Sequence, residues 1–101
     1  MVHKMGEIRL SGTVSEAYRK SAEALKVIGG TIKSQDQATG KIKGTMSMSL
    51  WSWGEKILID VSEADAGSLI RITSSSRLPT TLFDYGKNSR NVRRFLDCVG
   101  R

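Results

Sequence analysis

The residue types that run most enzyme chemistry are scarce here: one histidine, His3, one cysteine, Cys98, and ten acids among 101 residues. A histidine-based proton-transfer centre would rest on His3 alone, in a terminal stretch where order is least expected. One Cys and one His cannot supply the closed set of four N/S ligands of a structural zinc site. Cys98 as a nucleophile would need a base and an electropositive setting. Arg94 stands one turn before it, but no histidine does, and the role expected for it is that of a small, partly covered hydrophobe. Glu55, Asp60, Glu63 and Asp65 gather around one strand and turn. Paired carboxylates cleave glycosides only across a cleft at a defined separation, so this group reads as a solvated strand and turn. Gly29-Gly30 follows a helix, whereas a phosphate-binding loop precedes one. The sequence therefore points to no catalytic, cofactor-binding or metal-ligating residue, and to a chain that is not an enzyme.

Two surface features carry more information. Lys87, Arg90, Arg94 and Arg101 recur at helical spacing, almost opposite Val92 and Val99, and give the last helix a cationic back. An amphipathic helix requires a charged outer side in any case, and the alternative use is contact with phosphates or an anionic surface. Trp51 and Trp53, if the third strand continues regularly to residue 53, share the side of Lys41 and Lys43, away from the core. Aromatics interleaved with lysines on a sheet suit stacking on unpaired bases or burial in a partner. If the connection twists instead, at least one indole folds over the edge of the core.

The elements that must position these residues follow from periodicity. Glu7-Ile8-Arg9-Leu10 reads as a short first strand. Thr13-Val14-Ser15-Glu16 has the form of a capping box, and the helix behind it aligns Val14, Ala17, Tyr18, Ser21, Ala22, Leu25 and Ile28. Gly29-Gly30 ends that helix. A second strand runs near Thr31 to Gln35 and a turn follows at 36–40. In the third strand Ile42, Met46, Met48 and Leu50 alternate with Lys41, Lys43, Thr45, Ser47 and Ser49. Gly44 stands on the apolar side, where another element can approach closely. The fourth strand turns Ile57, Ile59 and Val61 inward, a hairpin turn falls on Asp65-Ala66-Gly67-Ser68, and the fifth strand turns Ile70 and Ile72 inward before a polar Thr73-Ser76. Pro79 makes 77–83 an irregular crossing segment. The last helix is predicted to start near Asp84, with Tyr85, Val92, Phe95, Leu96 and Val99 on its core side. Asn88 shares that side and needs hydrogen-bond partners if buried.

Length and composition bound the rest. A 101-residue chain, 39% hydrophobic and 26% charged, is one globular domain spanning 1–101 with room for one modest core. No stretch approaches the ~20 apolar residues that cross a bilayer, the start lacks a signal peptide's apolar run, and the lone cysteine argues against a disulfide scaffold. A cytoplasmic location is the expectation. The net charge of +6 is concentrated towards the end, where residues 71–101 carry seven Lys/Arg against two acids.

The element order β-α-β-β-β-β-α predicts an α+β two-layer sandwich, with about five antiparallel strands and both helices on one face. This order resembles the TATA-box-binding-protein-like fold, whose larger helix-grip relatives hold apolar ligands. This chain is shorter and lacks their extra strands. The segments 49–55 (Ser-Leu-Trp-Ser-Trp-Gly-Glu) and 83–88 (Phe-Asp-Tyr-Gly-Lys-Asn), followed by Asn91-Val92, resemble signatures of an uncharacterised bacterial domain family. In that family an Asp-aromatic-Gly-Lys-Asn segment opens the last helix, and the resemblance implies no activity. The function expected is a non-enzymatic binding domain without a cofactor. It would engage an apolar small molecule under the helices, near Met46, Met48, Ile57, Ile70 and Phe95, or a protein partner through the sheet. The alternative is nucleic-acid binding through the basic sheet and helix residues.

Overall fold

Alternation in the strands has a direct counterpart in three dimensions, because successive side chains of a strand point to opposite sides of the sheet. A computed structural model describes residues 3–46, 54–76 and 87–100. Within them the order is β1 (His3–Leu10), α1 (Val14–Val27), β2 (Thr31–Asp36), β3 (Lys41–Met46), β4 (Glu55–Ala64), β5 (Gly67–Ser76) and α2 (Lys87–Val99). The strands form one sheet in the order β1-β5-β4-β3-β2, antiparallel throughout. Both helices lie on one face, α2 over β1 and β5, and α1 over β4, β5 and β2 beside α2. The protein is an α+β two-layer sandwich. No described helix is long and apolar enough to cross a membrane.

The inward side chains make one core. Leu25, Ile57, Ile70, Ile72 and Phe95 are fully buried, and Ile42, Ile59, Val61, Val92 and Val99 nearly so. Each such side chain contributes roughly 1.5–3 kcal/mol on leaving water. The core side of α1 includes Ala24, which the helical spacing read from sequence leaves out.

Local signals act where they were read. Thr13 caps α1, its hydroxyl oxygen accepting from the Glu16 amide at 3.1 Å. The Thr13 hydroxyl itself donates to the Glu16 carboxylate at 3.2 Å, so the carboxylate holds the capping side chain. At the other end the Gly29 amide donates to the Lys26 carbonyl and the Gly30 amide to the Leu25 carbonyl, the paired bonds of a Schellman motif. Glycines also let helices sit close. A Cβ on Gly44 would stand 2.9 Å from Leu25 Cδ2 of α1, and one on Gly6 would stand 2.5 Å from Val92 Cγ1 of α2.

Three expectations change. β1 begins at His3 rather than Glu7, because its backbone pairs with β5 from Ser68 to Ser75, His3 opposite Ser75, and ladder hydrogen bonds do not require apolar side chains. The β4–β5 loop is only Asp65-Ala66, and Ala66 takes the positive φ of 61°. Gly67 already belongs to β5, where a side chain would strike the Leu10 carbonyl of β1. Glu55 is not a solvated residue but a buried one. The predicted helix start at Asp84, the crossing segment 77–83 and the continuation of the third strand through Trp51 and Trp53 lie outside the described residues.

The tight seat of α2 on β1 is testable. Gly6→Ala is expected to lower stability by about 1–3 kcal/mol, read from urea denaturation, since the added methyl must displace Val92 and Leu96.

Candidate functional site

Glu55 shares the parity of Ile57 and Ile59, so β4 turns its carboxylate inward, where it is 3% exposed. Burying a carboxylate is costly unless hydrogen bonds replace its water. An amide of α2 supplies one. Asn91 Nδ2 donates to Glu55 Oε1 at 3.0 Å and to Ser74 Oγ of β5 at 3.2 Å, and the Ser74 hydroxyl donates to Asn88 Oδ1 at 2.7 Å. Three elements are thus tied by one directional chain in which both Asn91 amide hydrogens are used. Asn88 is fully buried with the hydrogen-bond partner that its place on the core side demanded. The cluster draws on the segments 49–55 and 83–88 singled out from sequence: Glu55 closes the first, Asn88 ends the second, and Asn91 follows three residues on. The Ser74 hydroxyl donates to the Asn88 amide oxygen rather than to a base that could activate it. This arrangement ties α2 to β4 and β5.

The other face of the sheet presents a second, exposed set of side chains. Among the described residues no helix covers it. Across its strands runs a row of alternating charge, Glu7 (β1), Arg71 (β5), Asp60 (β4), Lys41 (β3) and Asp36 (β2), each opposite the next in register. Arg71 Nη2 lies 2.7 Å from Glu7 Oε2, and Lys41 Nζ lies 3.8 Å from Asp60 Oδ1. The neighbouring row is Met5, Thr73, Leu58 and Lys43. Met5 is 54% exposed and Leu58 36% exposed, a small apolar strip beside the charges. Lys43 and Lys56 stand exposed at its margin, and neither forms an ion pair among the described residues.

Of the residues singled out from sequence, Lys41 and Lys43 lie together on this open face as expected. Trp51, Trp53 and Arg101 lie outside the described residues, as does the Lys87 side chain. Arg90 and Arg94 are exposed on α2, on the opposite layer from the sheet lysines, so the two basic features do not form one surface. Arg93, not singled out, is exposed beside them. His3 is exposed at the start of β1, and Cys98 is partly covered. No group of His, Cys, Asp and Glu among the described residues could hold a metal ion. The sequence reading took Glu55 for a solvated acid and gave Asn91 no place in the core, although parity with Ile57 and spacing from Asn88 and Phe95 place both inward.

A groove of about 610 Å³ runs between α1 and β2, lined by Glu16, Arg19, Glu23, Lys26, Gln35 and Gln37 among others. It is open and lined mostly by charged and polar side chains, whose stems contribute apolar surface. Tyr18 forms part of its wall and donates from its hydroxyl to the Lys41 carbonyl at 3.1 Å. Burial, chiefly, raises the Tyr18 phenol above its ordinary value; the Asp36 charge acts the same way, and a backbone hydrogen bond at Asp36 opposes it.

No protein-family model and no curated protein sequence matches the chain.

Two outcomes are expected. Asn91→Ala leaves the Glu55 carboxylate without its amide donor and should cost about 2–3 kcal/mol by urea denaturation, with Glu55→Gln costing less because it removes the charge and keeps the shape. For Tyr18, the unfolded chain ionises first as pH rises past ~10, so the Tyr18 contribution is complete below that pH and is lost towards the higher folded value. In a Tyr85→Phe background, tyrosinate absorbance should show the folded protein titrating above the unfolded chain.

Proposed function

We propose that the chain is a non-enzymatic binding domain that engages a protein partner through the face of its sheet opposite the helices. The observation that carries this reading is the strip of Met5, Thr73 and Leu58 on that face, bordered by an ordered row of charges. An apolar strip with a polar border is what interfaces between proteins present. A photo-crosslinking residue at Leu58, tested in the native cell, should yield protein adducts. The same residue at Arg93, on the helix layer, should not. Absence of adducts at Leu58 and at Met5 would overturn the reading.

A second reading has a specific observation behind it. Arg90, Arg93 and Arg94 project from α2 with no ion pair among the described residues. If they meet phosphates, oligonucleotide affinity will fall steeply with salt, and Arg90→Ala with Arg94→Ala will lower it and reduce the salt slope by about 2.

A further inference from the structure

We infer that the partner for the open sheet face is a second copy of this chain, bound face to face about a twofold axis. The inference rests on reading that face as a protein-binding surface. It comes from the order of charges across the strands. A twofold axis parallel to the strands reverses the row Glu7, Arg71, Asp60, Lys41 on the opposing copy. An axis passing through a strand sets like charge on like. An axis between strands sets unlike on unlike.

The axis between β5 and β4 is singled out by three features. It is the centre of the four strands β1-β5-β4-β3, whose registers run without a shift, whereas β2 carries an irregularity between Ile32 and Ser34. It places Arg71 opposite the second copy's Asp60 and Glu7 opposite the second copy's Lys41, each pair occurring twice by symmetry. It also places Leu58 against the second copy's Thr73 methyl and Met5 along the second copy's Lys43 stem, covering the exposed apolar strip. The same patch on both subunits then matches itself, as an isologous contact requires. Sheets packed this way stand ~10 Å apart with strands within about 30°, a gap that facing arginine and carboxylate side chains span. Within each copy the row is already largely neutralised by Glu7–Arg71 and Lys41–Asp60, so the charges set register and partner choice while the apolar strip supplies the burial.

The test uses two charge reversals in the full chain, each first shown to fold by circular dichroism. Wild-type protein should sediment as a dimer. Arg71→Asp alone and Asp60→Arg alone each set like charges across both contacts, and each should weaken dimerisation about 100-fold. Mixed one to one, they should dimerise with affinity near the wild type. In the mixed dimer the carboxylate introduced at position 71 of one variant meets the guanidinium introduced at position 60 of the other. The native Asp60 and Arg71 meet across the second contact. Glu7→Lys with Lys41→Glu repeats the experiment on independent positions should either first variant fail to fold. A monomeric wild type, reversals that leave the dimer intact, or no recovery on mixing overturns the inference. A monomeric wild type with Leu58 adducts to a different protein overturns self-pairing and leaves the binding face standing. A monomer with no adduct overturns both.

Discussion

Two helices can cover one face of a five-stranded sheet, and here both lie on the same one. Every strand must therefore separate its side chains into a dry set and a wet set, because a period of two offers only those sides. Ile42, Ile57, Ile59, Val61, Ile70 and Ile72 follow from the dry side. Lys41, Lys43, Lys56, Asp60 and Arg71 follow from the wet one. The close seating of α1 at Gly44 and of α2 at Gly6 is the same constraint at atomic scale, since a helix layer shields apolar side chains only where it reaches the backbone beneath.

At one end of the layer the dry face is not apolar. Glu55, Ser74, Asn88 and Asn91 occupy inward positions that hydrophobic residues would otherwise fill. A satisfied polar network adds little net stability over apolar packing, but it penalises arrangements that leave a carboxylate or amide unpaired. Sliding α2 by one turn along the sheet would break the Asn91–Glu55, Asn91–Ser74 and Ser74–Asn88 hydrogen bonds at once. The network thus acts on the register of the helix more than on its attachment. Among the described residues no helix covers the other face, and Lys41, Lys43, Lys56, Asp60 and Arg71 stand exposed on it.

That face owes its order to antiparallel register. Glu7, Arg71, Asp60, Lys41 and Asp36 belong to five strands and are scattered over the chain, yet hydrogen bonding lines them up at one level. Opposite charges directly across a strand pair contribute up to about 1 kcal/mol, and like charges oppose pairing, so the row supports the register that creates it. Its alternating sign gives the surface a direction across the strands, a property that a simple excess of basic residues lacks.

Much of this was legible in the chain itself. The capping threonine, the Gly29-Gly30 stop, the alternation of Ile57, Ile59 and Val61 and the place of Gly44 are local signals, set by steric and hydrogen-bonding rules that act within a few residues. The element order and the two-layer class followed from them. Other features were decided only by tertiary structure. Glu55 lies in a run of acids that reads as solvated, and its burial depends on Asn91 arriving from another element. The extension of β1 back to His3 depends on pairing with a polar part of β5. The charge row and the apolar strip of Met5 and Leu58 exist only once distant strands are aligned, because register across a sheet is a relation between segments and no single segment encodes it.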